Sequence, residues 1–167
     1  MPTALSSPGT RLRGAWRRLS PLPGGRWLFS RLLRLVNPYS GAVGATVMTL
    51  EPGHAVVVLK ERRAVRNHLD SVHAIALANI AEMASGLAML CALPDSARGI
   101  PIALSIDYLK KARGVLTAEA RVTLPDVTVA GTHQFSSNIS DEAGDVVARA
   151  RVTWKLGPVE ARGRRQG

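Results

Sequence analysis

A single cysteine, seven aromatic residues and no acid at all before Glu51 are the shortages of this chain, and each excludes something. Cys91 alone cannot form an internal disulfide, and no Cys/His cluster has metal-ligand spacing. Neither a disulfide scaffold nor a metal site is therefore expected, and a reducing, cytoplasmic setting fits best. Seven aromatics are too few for a surface that stacks bases. The net charge of +10 invites a nucleic-acid reading, but the excess lies at the ends of the chain. Residues 1–36 hold seven Arg and no acid, whereas 37–154 balance eleven Lys/Arg against eleven Asp/Glu. The body is neutral, so no nucleic-acid partner is expected.

Other signatures are missing too. There is no G-x-S-x-G, so a serine hydrolase is not indicated. "GAVG" (41–44) is a lone glycine pair rather than a phosphate loop, and His54, His68 and His133 show no partner spacing. The most apolar stretch, 72–93, contains His73, Asn79 and Glu82, and a mid-helix carboxylate is heavily penalised in lipid. Arg and Pro interrupt the N-terminal apolar residues, so no secretory h-region forms, although an Arg-rich, acid-free start also fits an organellar transit peptide.

What is present divides the chain. Residues 1–25, rich in Pro, Gly, Ser and Arg, read as a flexible basic arm. Residues 26–39 read as a short amphipathic helix and linker, with Trp27, Leu28, Leu32 and Leu35 at helical spacing and Arg26, Arg31 and Arg34 elsewhere. Such a helix either docks on its own domain or lies on a membrane surface, and docking is the expectation. Residues 43–62 read as two strands around a Pro52-Gly53 turn, and 72–92 switch to helical periodicity. Four more strands follow at 100–112, 115–124, 127–140 and 145–156, separated by turn signals. The residues from 158 on form a basic tail. This order predicts an α+β domain in which one curved antiparallel sheet wraps one long helix, preceded by a helical extension.

On that helix, Leu77, Ile80, Ala84, Leu87 and Cys91 repeat at spacings of 3, 4, 3 and 4, a stripe that should face the sheet. Glu82 is the sole formal charge between Ser71 and Pro94 and lies roughly opposite the stripe. Its neighbours at helical spacing are small or apolar, together with Asn79 and Ser85. That face is too poor in charge for open surface, so it reads as a cleft wall or a partner interface. Glu82 is then either a catalytic carboxylate or an interface acid hydrogen-bonded by Asn79 or Ser85. Asp70 or Ser71 is the expected N-cap, leaving the first amides, at His73 and Ala74, as free donors able to hold an oxyanion. His73 and Glu82 are nine residues apart and on opposite faces, so one site using both requires two chains.

These residues resemble the hotdog-fold thioesterases, in particular the phenylacetate-pathway type and an uncharacterised branch beside it. That family carries an Asn or Gln in the loop, His-Gly-Gly at the helix start and an acid two turns on. Asn67, His73-Ala74 and Glu82 fall at the same intervals, six residues and then nine. "SIDYLKKARGVLTAEARV" and "ISDEAGDVVARARVTWKL" also look like the family's strands, the first with its Tyr-Leu-x-x-x-x-Gly turn. The resemblance spans the hotdog domain, about 40–157. It implies an acyl-coenzyme A thioesterase in which Glu82 is nucleophile or general base. The Ala74 N–H would polarise the thioester carbonyl, and Asn67 would orient the attacking water or the acid. The site would be shared across a homodimer, with a tetramer built from two such dimers left open. Arg62, Arg63, Arg66, Lys110, Lys111 and Arg113 are candidates for the coenzyme A phosphates, and Asn79 and Ser85 for substrate contacts. Coenzyme A enters as part of the substrate, and no further cofactor is implied. His73-Ala74-Ile75 departs from His-Gly-Gly by placing a Cβ where the family keeps the backbone bare. A non-catalytic module that binds an acyl ligand or partner, with membrane contact through 26–36, is the alternative.

Overall fold

The structure is a computed structural model and describes residues 7–159. Three helices come first: α1 (Pro8–Leu19), α2 (Gly25–Val36) and the short α3 (Pro38–Ala42). A hairpin follows, β1 (Thr46–Glu51) and β2 (His54–Lys60), and then the long helix α4 (Ala74–Ala92). Four strands complete the chain: β3 (Ala97–Tyr108), β4 (Val115–Arg121), β5 (Gly131–Ser140) and β6 (Val146–Pro158). All pair antiparallel in one six-stranded sheet of order β1-β2-β4-β5-β6-β3.

The elements form where side-chain periodicity asks for them. Along β6, Ala148, Ala150, Val152, Trp154 and Leu156 are buried against the helix while Arg149, Arg151 and Lys155 face outward. Gly53 turns the first hairpin at φ 80°, and its N–H donates to the Ala88 carbonyl, tying the turn to α4. The helix runs through an Ala-rich stretch and stops at Leu93, which is extended because Pro94 follows it. The stripe Leu77, Ile80, Ala84, Leu87 and Cys91 is buried, as the periodicity requires. Each fully buried side chain of the size of Ile80 or Leu59 contributes about 1.5–3 kcal/mol of transfer free energy.

Two expectations need correction. The stretch read as a flexible arm holds α1, whose Leu12, Ala15, Trp16 and Leu19 lie at helical spacing and pack on the core. Ser7 caps it by accepting from the Thr10 N–H, and Ser7 and Thr10 both donate to Asp95 Oδ1. Arg13 Nη1 donates to the Cys91 carbonyl at 2.5 Å, so α1 is fastened to the C-terminal end of α4. Pro, Gly and Arg masked this pattern by composition. The second correction concerns α2. It does dock on its own domain, but through Phe29, Ser30 and Leu33, not through the apolar set that was expected to do so. Trp27, Leu28, Leu32 and Leu35 are instead 41–78% exposed. Phe29 meets Trp16 edge-on at 5.1 Å, and Ser30 Oγ accepts from the Val47 N–H, which fixes the buried face. The basic C-terminal tail lies beyond the described residues from Glu160 onward.

Candidate active site

The start of α4 is shaped by the loop before it. Arg66 and Val72 form an isolated bridge, and the His73 N–H donates to the Val65 carbonyl. Helical geometry is thereby delayed to Ala74, and His73, not Asp70 or Ser71, is the N-cap. Its Nδ1 accepts from the Ile75 N–H at 3.1 Å, which leaves Nε2 to carry the ring proton. Asp70 takes a positive φ of 51° within this loop. The expectation of two free amides is corrected accordingly: His73's is used, while Ala74's, at the first helical position, has no acceptor within the helix. Tyr108 donates to the Ala74 carbonyl at 3.1 Å and sits beside this donor.

Asn67 organises the same loop. Its Oδ1 accepts from the N–H of Leu69 and from the N–H and hydroxyl of Ser71, at 2.9, 3.3 and 3.2 Å. The carbonyl end of this amide is consumed, and its NH2 remains as a donor. Of the six candidate cations, four are engaged within the chain. Arg62 donates to the Val43 carbonyl, Arg66 to Glu61, Arg113 to the Asp70 carbonyl, and Lys110 to both Asp141 and Asp145. Those two acids push Lys110 up to about 12, so its charge is spent locally. Arg63 and Lys111 are exposed, in the two segments that flank the helix start.

Glu82 is half-buried, and its carboxylate makes no hydrogen bond or ion pair among the described residues. Burial away from water raises its pKa above the ordinary glutamate value. Asn79 and Ser85 do not hold it: the Ser85 hydroxyl donates to the Glu82 backbone carbonyl, and the Asn79 Oδ1 is buried without a partner. Both are too enclosed, at 9% and 0% exposure, to be open substrate contacts. The interface-carboxylate reading that relied on them therefore loses its support. Glu82 instead lines a cavity of about 520 Å³ bounded by α1, α2, α3 and the outer side of α4. Trp154 lines it as well; its indole N–H is buried with no acceptor. Between them lies Gly86, where an added Cβ would stand 3.2 Å from the Trp154 ring and 3.6 Å from Glu82 Oε1.

Ala74 and Glu82 are eight residues apart, about 12 Å along the helix axis. One thioester carbonyl cannot reach both on the same helix. Asn67, His73, Ala74 and the basic residues are thus gathered at one end of α4, and Glu82 lies apart from them. Sequence reasoning missed Trp154 and the walls supplied by α1–α3. Trp154 read simply as one more inward residue of a well-alternating strand. Among the described residues, no group of three His, Cys, Asp or Glu is placed to hold a metal ion.

A long helix enclosed by a curved antiparallel sheet of this strand order is the hotdog fold. Residues 25–156 match the family described as "Domain of unknown function (DUF4442)", and the chain belongs to that family. A structural-genomics protein, APC5556, is similar over 90% of this chain and 99% of its own, at 28% identity and a TM-score of 0.78. PA5026 from Pseudomonas aeruginosa, named a probable thioesterase, is 22% identical at a TM-score of 0.70, covering 83% of this chain and 97% of its own. The protein smu.793 from Streptococcus mutans UA159, solved with acetyl CoA bound, is 20% identical at a TM-score of 0.59, covering 68% and 89%. No curated protein matches this chain.

Proposed function

We propose that this protein hydrolyses an acyl-coenzyme A thioester, at a site that two copies of the chain complete together. The observation that carries the reading is the Glu82 carboxylate, unpartnered and half-buried in a cavity, with its pKa raised by desolvation. A base so placed is stronger at neutral pH than a solvated one and has room beside it for substrate. The names of similar structures, thioesterases and an acetyl CoA complex among them, support the substrate class.

In this mechanism ionised Glu82 attacks the thioester carbonyl or takes a proton from the attacking water. The carbonyl oxygen, as it becomes an oxyanion, is held by the free Ala74 N–H of the second copy. The Asn67 NH2 orients the water. Collapse breaks the C–S bond, and the thiolate leaves and takes up a proton; where Glu82 itself attacked, water then hydrolyses the resulting anhydride, so either route consumes one water to give acid and thiol. Arg63 and Lys111, near the helix start, would meet the phosphates, with Arg66 and Arg113 adjoining. A second copy is supported by β3, an edge strand of twelve residues paired only with β6. Ile100, Ile102 and Leu104 on it are 53%, 55% and 44% exposed, and such an edge is a template for pairing.

The test is thiol release from a panel of acyl-coenzyme A substrates beside Glu82→Gln. Loss of about 10²–10⁴-fold in turnover is expected for the variant. A folded Glu82→Gln protein with undiminished turnover would remove Glu82 from the chemistry.

A second reading rests on α2, whose exposed Trp27, Leu35 and Val36 adjoin Arg26, Arg31 and Arg34. Arg31 lies over the Trp27 ring at 5.1 Å. An aromatic and aliphatic face framed by arginines suits an anionic bilayer surface. A second copy of the same face would set like charges together.

A further inference from the structure

The cavity that contains Glu82 has two chemically different ends. At one, the Glu82 carboxylate brings the polar group, with Gly86 between it and the carbon edge of the Trp154 ring. Most of the remaining wall is aliphatic, formed by Leu12 and Ala15 of α1, Leu33 of α2, and Met83, Leu87 and Leu90 of α4, with Arg11, Arg34 and a few small polar side chains also on it. The roof is built into the fold. Gly9 lets α1 approach the end of α4 so closely that a Cβ there would run into the Leu90 carbonyl, and Arg13 fastens the contact. Leu32, Val36 and Asn37 line the cavity yet remain exposed, which marks its open side between α2 and α3.

We infer that this chamber receives the tail of a linear, medium-to-long aliphatic acyl group, with the thioester held at the Glu82 end. The inference rests on the thioesterase reading and names its substrate class. A volume near 520 Å³ is in the range of sites that enclose most of a small ligand, far beyond what an acetyl group fills. Among the described residues Phe29 and Trp154 are the only rings on the wall, so most of the apolar contact on offer is with aliphatic side chains. Tail burial then becomes binding energy that grows with chain length.

The experiment uses the full chain with acetyl-, octanoyl-, lauroyl- and phenylacetyl-coenzyme A. In parallel, calorimetric binding is measured with a non-hydrolysable dodecyl thioether of coenzyme A. The expected kcat/KM climbs about fourfold per added methylene over the first carbons, reaching at least about a hundredfold between acetyl and octanoyl. Ala15→Phe fills the chamber from α1, and Leu32→Trp narrows its open side at a residue exposed enough to tolerate the change. Each should lower the lauroyl-to-acetyl ratio of kcat/KM at least about tenfold and weaken the dodecyl thioether about as much. Turnover that is flat with chain length, or lauroyl preference unmoved in both variants, overturns the chamber and leaves the thioesterase standing. Tight thioether binding that Ala15→Phe weakens, with no turnover of any thioester, sustains the chamber and overturns the hydrolase.

Discussion

Glu82 carries the proposed chemistry of the molecule and also a cost to its stability. Because burial raises its folded pKa, the folded state binds the proton more tightly than the unfolded chain does. Its contribution to stability is therefore fully present below the ordinary glutamate pKa and is lost as pH rises through the folded value. Activity should run the opposite way, since in the proposed mechanism the ionised form is the base. The acid limb of kcat/KM should have its midpoint above the ordinary glutamate value, and Glu82→Gln should melt at a higher temperature than wild type at neutral pH but not at acid pH. Thermal scans of both proteins across pH, beside the rate profile, check the pair; a variant less stable at neutral pH would contradict the burial account. Elsewhere Glu61, lowered first by the Gly114 N–H, and Asp141, lowered first by Lys110, lose stability as pH falls, so the comparison with Gln is what isolates Glu82. Much of this residue was legible in the sequence, because one acid in a charge-free helical run is conspicuous. The fate of Asn79 and Ser85 was not: helical spacing gives adjacency, but not which hydroxyl bonds to the helix backbone.

Among the elements, α2 shows how far periodicity reaches. Its amphipathic pattern was visible, yet the buried face proved to be Phe29, Ser30 and Leu33, and the larger apolar set points outward. A wheel with apolar residues on most of its circumference does not say which arc meets the core; the Trp16–Phe29 contact and the Ser30 bond to β1 decide it. The same arcs now predict behaviour at a lipid surface. The protein should pellet with phosphatidylglycerol vesicles and not with phosphatidylcholine ones, and should be released as salt rises. The double variant Trp27→Glu, Leu35→Glu should abolish the effect. Equal pelleting with both lipids, or an unaffected double variant, would remove the membrane role. By contrast α4 and the six strands were legible almost to their ends, since strict alternation and a clean helical stripe leave little choice. The long helix is apolar enough to cross a membrane by length and composition, with a mean hydropathy of 1.6, but most of it is enclosed by sheet and helices.

At the scale of the whole molecule, the open β3 edge and the 12 Å between the two halves of the site ask for the same thing. Replacing Ile102 and Leu104 by Lys should place charge on that edge and give a monomer by light scattering, with thiol release lost although Glu82 is intact. A monomeric variant at full activity would return the site to one chain. The proposal of a shared site has its root in the sequence, in the spacing of His73 and Glu82. The cavity was not, because its walls come from segments some seventy residues apart that no local pattern connects. The family match begins at residue 25, yet α1, one wall of that cavity, lies before it. On the proposed reading the reactive group lies within the matched stretch, whereas α1, one part of the chamber that would measure the acyl tail, lies before it. Two proteins alike along 67–82 but different in α1 should then take different acyl groups, and an exchange of residues 8–36 between them should trade selectivity while leaving the acid untouched.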